Sequence, residues 1–414
     1  MRRLTVKNFS VIQEATDIDF GRITVFIGPQ SSGKSLLCKL AFFFIQVVPE
    51  IASGSLLLRM PFRQFSESVQ IEFLERFPPA AWSGQEFRIS YTSNEYRLSV
   101  ECKESSNHPT VDFGAFSEEY NRWIDSHLEE GSAKPAISAI KNGHRIPDFP
   151  IQMEGAKYVP TGRAFFSTPN KGFASFAGKN LDWITQRFST EMDFNYRALI
   201  ESFNSGNGLL SEFGKEAINI LGGKVVLLDG IPHFQSNVSE RKLPFQLLSS
   251  GTLELLPLLN PLSQLVSDAK TSEIGAFLKL PYGPVFVEEP ESSVFPKTQY
   301  ALVRLFTWLA NEPALNNSFA ITTHSPYILS AFGNLLKAGK VGAQSAERHA
   351  AVEKTIPEKY WIKNSDFAAY KIENRALISI FGEDTGQIDG DYLDDVSSDI
   401  AEEFGQLLEI QYGG

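Results

Sequence analysis

The sequence predicts an α/β fold in which helices cover a mixed sheet with a parallel core, and three short segments predict it. Ile23-Thr24-Val25-Phe26-Ile27 is apolar and β-branched, and a Gly/Ser loop separates it from residues 36–48, an apolar run free of Pro and Gly. This order reads as strand, loop, buried helix. Val285-Phe286-Val287 is a second strand, ending in Glu288-Glu289. Ser318-Phe319-Ala320-Ile321-Thr322-Thr323 is a third, ending in His324-Ser325-Pro326. Open α/β sheets bind ligands beyond the carboxyl ends of their strands, and all three segments put polar residues at that edge.

The first loop, Gly28-Pro29-Gln30-Ser31-Ser32-Gly33-Lys34-Ser35, fits the phosphate-loop pattern G-x-x-x-x-G-K-[ST]. Its glycines let successive backbone N–H groups turn inward toward phosphate oxygens, and the following helix adds its positive dipole end. Lys34 is then expected to reach the β- and γ-phosphates, with the Ser35 hydroxyl on Mg²⁺. A turn matching the pattern by accident would lack a strand before it and a helix after it. The expected ligands are ATP and Mg²⁺.

Two adjacent acids at a strand end beside such a loop suit separate tasks. Glu288 would hold Mg²⁺, and Glu289 would take a proton from the attacking water. The bland alternative is a solvated acidic turn, which Pro290 would favour. A lone histidine is more often structural than catalytic, but His324 leaves its strand at the same edge and is expected to contact the γ-phosphate.

Composition bounds the remainder. The chain has 414 residues, 43% of them hydrophobic, enough for one large α/β domain with insertions or for two to three domains. No run of eighteen uninterrupted apolar residues occurs, the opening Met1-Arg2-Arg3-Leu4 lacks an apolar stretch behind it, and Cys38 and Cys102 make neither a disulfide framework nor a metal site. A soluble cytoplasmic protein with no membrane partner is the expectation. The net charge of −11 gives no support to direct nucleic-acid binding, although a local basic patch would not show in it.

In chain order, Leu4–Phe9 alternates like a strand, and Ile18-Asp19-Phe20 leads to the Gly21-Arg22 turn. A helix is expected over 65–76, then two strands, 87–91 and 96–100, around Ser93-Asn94. Further helices are expected over 116–128 and 181–203, with loops near 104–112 and 167–172. Residues 224–228 and 231–235 read as a hairpin turning at Asp229-Gly230. After Leu247-Leu248-Ser249-Ser250-Gly251-Thr252, a helical run over 253–265 should break at Pro257 and Pro261. These signals divide the chain into an N-terminal ATPase lobe (1–51), an inserted α+β middle region (52–222), a C-terminal lobe (223–335) and an extension with an acidic tail (336–414). No heptad pattern persists, so no long coiled coil is expected.

The order of phosphate loop, L-S-S-G, E-E-P-E and T-T-H-S-P resembles the ABC-type ATPase head of the SMC, RecF and overcoming-lysogenisation-defect group, within the bacterial AAA family of repair and anti-phage ATPases. The likeness covers about residues 1–50 and 220–335. It implies a site completed between two copies: Ser249 and Gly251 of one would contact the γ-phosphate held by Lys34 of the other, with Glu289 and His324 acting in cis. This sequence departs from the pattern at Gln30, where many relatives have Asn, at Glu288, where Asp is commoner, and at Thr252, where transporters carry Gln. Relatives also bring a Gln to Mg²⁺, and Gln46, Gln64, Gln70, Gln85 and Gln152 are all candidates. Tyr158-Val159-Pro160-Thr161-Gly162-Arg163 is similar to a Y-I-P-A-x-R segment of these ATPases, so Arg163 would face the nucleotide, the neighbouring subunit or plain solvent.

The resemblance further implies a homo-oligomer, at least a dimer or a higher even assembly, controlling a separately encoded effector such as a nuclease or toxin, as in defence systems of the PARIS or Septu kind. Asp389-Gly390-Asp391 mimics a nuclease D-x-D, but no apolar strand leads into it, and it reads as a solvated loop. After Arg375 the chain carries acids and no Lys or Arg. Residues 399–410 could form an amphipathic cap, or a docking surface for a basic partner. The expected function is an ATP-hydrolysing switch, with ATP bringing two heads together and hydrolysis letting them part. Two rivals stand beside it: a RecF-like repair ATPase, marked by salt-sensitive DNA binding, and a scaffold that holds ATP without hydrolysing it.

Overall fold

The first three strands already set the architecture: β1 (Arg3–Phe9) and β2 (Ile12–Asp19) pair antiparallel, and β3 (Ile23–Ile27), buried at every position, runs into the phosphate loop. The computed structural model describes residues 2–94, 96–127, 155–167, 181–272, 283–382, 385–389, 402–404 and 406. Helices α1 (Lys34–Phe42), α2 (Val48–Leu57) and α3 (Phe62–Arg76) follow. Next come β4 (Phe87–Thr92), β5 (Arg97–Cys102), β6 (Thr110–Asp112), α4 (Phe116–His127) and β7 (Lys157–Val159). Helices α5 (Trp183–Glu191), α6 (Arg197–Asn204) and α7 (Gly208–Leu221) precede a small sheet of β8 (Gly223–Leu228), β9 (Ile231–Ser236) and β10 (Lys242–Pro244). Then α8 (Ser250–Ser272), β11 (Pro284–Glu288), α9 (Pro296–Asn311), β12 (Ser318–Thr323), α10 (Pro326–Gly342) and α11 (Ala346–Thr355) complete the helical side. Strands β13 (Phe367–Glu373) and β14 (Ala376–Ser379) return to the main sheet, and β15 (Phe381–Gly382) pairs with β16 (Gln387–Ile388).

Among the described residues, eleven strands form one mixed sheet in the order β6-β5-β4-β1-β2-β14-β13-β3-β12-β11-β7. Its centre is parallel: β3 pairs with β13 and β12, β12 with β11, and β11 with β7. Alternation along these strands serves both faces. Ile23, Val25, Val285, Val287 and Ile321 pack with α6 to α10 on one side, while Phe26, Phe286 and Ala320 pack with α1 to α4 on the other. The α/β class with a parallel core, expected from the sequence, is the class observed. Among the described residues there is no coiled coil. Strands β4 to β7, from the stretch read as a middle region, continue this same sheet, and Phe9 of β1 packs on Phe73, Phe77, Trp82 and Phe87.

Four local expectations need correction. The helix read over 36–48 runs on from Lys34 to Leu57, long and apolar enough to cross a membrane but mostly buried within the protein. A π turn at Phe43–Val47 carries it to Pro49 in the first turn of α2, where a missing N–H is tolerated. The helix over 181–203 is two helices, because Tyr196 takes a left-handed φ of 53° and the Asp193 carboxylate accepts from Asn195 N and Arg197 N. Helix α8, conversely, passes unbroken through Pro257 and Pro261. Each proline costs about 3 kcal/mol in a helix interior, but Leu255, Leu256, Leu258, Leu259, Leu262 and Leu265 are buried around them, each contributing about 1.5–3 kcal/mol. Burial wins. The β8–β9 hairpin turns at Asp229 and Gly230, both at positive φ. Of the stretch expected as a loop near 104–112, residues 110–112 form β6, and residues 168–172 lie outside the described residues.

Candidate functional site

The carboxyl ends of β3, β11 and β12 meet by register: Phe26, Thr322 and Glu288 lie side by side, and Ile27 pairs with Thr323 one step on. The phosphate loop turns from β3 into α1 through Gly33, whose φ of 108° suits glycine. A β-carbon there would meet Ile12 Cδ1 at 2.4 Å. Lys34, only 5% exposed, donates to the Gly28 and Pro29 carbonyls at 2.9 and 2.8 Å. Burial lowers its pKa, opposed by the negative charge of Glu289, Glu291 and Glu288. Those three carboxylates therefore act on the lysine that the loop presents through their charge.

The acid pair is held from several sides. Glu288 is buried, its Oε1 accepts from Tyr158 Oη at 2.6 Å and its Oε2 from Thr161 N at 3.2 Å. Burial, then the neighbouring Glu288, push the Tyr158 pKa well up, so the phenol stays the donor. Glu289 adopts φ 41°, an uncommon conformation for a residue with a side chain, fixed in part by its N–H on Thr322 O at 2.9 Å. Its Oε1 lies 3.4 Å from His324 Nε2, with both side chains about one-third exposed. Glu291 ties the two strand ends together, its Oε1 accepting from His324 N at 2.6 Å and Thr323 Oγ1 at 2.8 Å.

Ser249 and Ser250 are exposed at the start of α8, where Ser249 Oγ accepts from Thr252 N. Gly251 lies against the loop after the acids: a β-carbon there would stand 2.7 Å from Ser293 O. The acid strand and the L-S-S-G turn are thus neighbours within one chain.

Arg163 does not face solvent, as one of its three readings had it. It is wholly buried and bridges these two elements. Its Nη1 donates to Pro160 O and Glu288 O at 3.1 and 2.8 Å, its Nη2 to Glu289 O at 3.1 Å and its Nε to Glu254 O at 3.2 Å, with Glu254 Oε2 3.4 Å from Nε. Burial lowers its pKa, with Glu254 the strongest of the carboxylates opposing that. Of the candidate glutamines, Gln46 is committed to Glu50 and Ala156 N, and Gln70 to Pro109 O. Gln64 and Gln85 are exposed, and Gln152 lies outside the described residues. Asp389 is exposed beside the β15–β16 pair, donating its N–H to Ile380 O, while Gly390 and Asp391 lie outside the described residues. So does most of 399–410; Glu402, Glu403, Phe404 and Gln406 are exposed.

The donors fit a magnesium–triphosphate. Buried side-chain oxygens without a partner include Ser32 Oγ in the loop, Thr322 Oγ1 beside Glu288 and Glu291 Oε2 beside His324. Ser35 and Glu288 would add further oxygens, the ligand chemistry that a hard divalent cation and its phosphate waters take.

A family model described as "AAA domain, putative AbiEii toxin, Type IV TA system" matches residues 23–330, about three quarters of the chain. The chain belongs to this AAA family. The matched span begins with β3 and ends beyond His324, so this AAA domain takes in the loop, Arg163, the L-S-S-G turn, the acids and the histidine. Its members are P-loop proteins of the nucleotide-binding ATPase class. Two solved structures resemble the chain at low identity. One is an SMC head domain from Thermotoga maritima, 14% identical, covering 92% of this chain and 98% of that one with a TM-score of 0.38. The other is a Pyrococcus furiosus Smc head with an extended coiled coil, bound to the C-terminal domain of ScpA, 9% identical, covering 92% and 96% with a TM-score of 0.39. No match was found among curated proteins.

Sequence reasoning missed Glu291, Tyr158 and the Thr161 N–H as groups that hold the site. The third acid of E-E-P-E was a signal for the first. Tyr158 and Thr161 lie in the segment singled out for Arg163, but nothing in that segment points to Glu288 as their partner.

Proposed function

We propose that the protein is an ATP-hydrolysing switch whose two heads close on ATP and part after hydrolysis, controlling a separately encoded effector, a nuclease or toxin, in cytoplasmic anti-phage defence. The observation that carries the ATPase reading is that the strand ends leading to Lys34, to Glu288 and Glu289, and to His324 lie side by side at one sheet edge, with Glu289 and His324 3.4 Å apart. In this reading Gly28 to Ser35 cradle the phosphates, and Lys34 leaves the Gly28 and Pro29 carbonyls for the β- and γ-phosphates. Ser35 and Glu288 hold Mg²⁺, which supplies charge neutralisation at the phosphates when bound. Glu289 orients the lytic water and accepts its proton, and His324 donates to the γ-phosphate.

The head-to-head contact draws support from side chains flanking the motifs. Leu247 is 69% exposed two residues before Ser249, Phe295 is 74% exposed two residues after Ser293, and Tyr327 is 57% exposed just beyond His324. Apolar groups left in water beside each motif suit a face that a second copy covers. Ser249 and Gly251 would then reach the partner's γ-phosphate.

Glu289→Gln tests this. The variant should bind ATP and dimerise on it, while phosphate release falls by about 10²–10⁴-fold, the usual contribution of a positioned base. Normal turnover in that variant would remove the assignment, and a wild type that binds ATP with no phosphate release would leave a scaffold.

A further inference from the structure

Arg163 is the one fully buried guanidinium among the described residues, and its fork reaches carbonyls of three segments. Burying such a charge costs several kcal/mol unless its donors are satisfied. Here they go to Pro160 O at the end of β7, Glu288 O and Glu289 O at the end of β11, and Glu254 O in the first turns of α8. The planar fork can span such a set, whereas a lysine ammonium is a point charge on a flexible stem.

We propose that Arg163 is a positioning residue that fixes the Glu289 backbone in its left-handed conformation and couples it to the Ser249–Gly251 turn. This rests on the reading of that turn as a contact to the partner's triphosphate. Glu289 serves the nucleotide of its own subunit, while the turn serves the other. A rigid tie between them links the two composite sites of a dimer: engagement of Gly251 settles the first turns of α8, and through Glu254 and Arg163 the carbonyl of Glu289. The close approach of Ser293 O to Gly251 gives a second brace on the same pair of elements. Without the tie, Glu289 keeps its carboxylate but loses its aim, and a misplacement of about 1 Å can lower turnover about 100-fold.

The test uses the full chain with Arg163→Lys, which keeps the charge and removes the fork. ATP dissociation constant, kcat, KM and the Hill coefficient for ATP are measured beside wild type. The expected result is a kcat lower by about 10- to 100-fold, ATP affinity within about threefold and a Hill coefficient falling toward one. Glu254→Gln, which leaves the carbonyl contacts in place, should lose less, and the double variant should be no slower than Arg163→Lys alone. Wild-type kcat in Arg163→Lys, additive effects in the double variant, or parallel losses of ATP affinity, melting temperature and kcat would each overturn the inference while leaving the ATPase reading intact. A wild type without turnover would overturn both.

Discussion

Replacing Tyr158 by Phe removes a single hydrogen-bond donor from the site and little else. The ring stacks on Phe286 with centroids 5.5 Å apart and meets Phe42 edge-on at 5.4 Å, and phenylalanine keeps both contacts. What is lost is the 2.6 Å bond to Glu288 Oε1, at a carboxylate that is only 4% exposed. Hydrogen bonds to charged groups contribute about 1.5–3 kcal/mol, and a buried oxygen left without a donor keeps the full desolvation cost. At about 2 cal/mol/K of unfolding entropy per residue, the 414-residue chain changes stability by about 0.9 kcal/mol per degree. The expected loss is therefore about 2–3 °C in apparent melting temperature without nucleotide.

Addition of ATP with Mg²⁺ should narrow that gap, because the cation proposed beside Glu288 would offset the missing donor. Differential scanning fluorimetry on both proteins, with and without ATP and Mg²⁺, reads both quantities. An unchanged melting temperature without nucleotide would refute the reasoning, since it would mean that Glu288 does not depend on the phenol. A gap that widened with Mg²⁺ and ATP would refute the placement of the cation.

Three further outcomes follow from the same geometry. Glu291→Ala removes the acceptor for His324 N and Thr323 Oγ1, so phosphate release should fall by at least about tenfold, the equivalent of about 1.4 kcal/mol in the barrier, with ATP binding little changed. Gly251→Ala drives a β-carbon to 2.7 Å from Ser293 O; overpacking of this kind costs about 1–3 kcal/mol, and ATP-dependent dimerisation measured by sedimentation should weaken accordingly. The Tyr120 phenol, buried and donating to Met60 O, has its pKa pushed up to about 12 by burial. A raised folded-state value stabilises the protein below the ordinary tyrosine range, near 10, and that contribution disappears as pH rises through 12. Wild type should thus lose on the order of 1–2 kcal/mol more than Tyr120→Phe between about pH 10 and 12 in denaturant titrations, and parallel curves would refute the point.

How much of this was legible in the sequence divides along a physical line. Strands β3, β11 and β12 could be read because each is a short apolar run that ends in residues whose chemistry is local: Lys34, the acids, His324. The β8–β9 hairpin could be read because Asp229-Gly230 has one good use. By contrast, β13 pairs with β3 from some 340 positions away, and nothing in Phe367–Glu373 names its neighbour. The continuity of α8 through two prolines is not legible locally, because propensity argues for a break while the leucines that outweigh it act through partners elsewhere in the chain.

Arg163 carries the same lesson into the site. Its segment stood out in the sequence, yet solvent, nucleotide and partner remained open, because what decides among them is carbonyl groups 91 to 126 residues downstream. An arginine pays for burial only where several acceptors converge, and convergence is a property of the fold. The groups that meet here belong to two motifs that, in the closed dimer proposed above, would serve different nucleotides. A residue placed to sense both has more to do with when the reaction happens than with how, and this is why the kinetics of Arg163→Lys, rather than its stability, is the informative measurement.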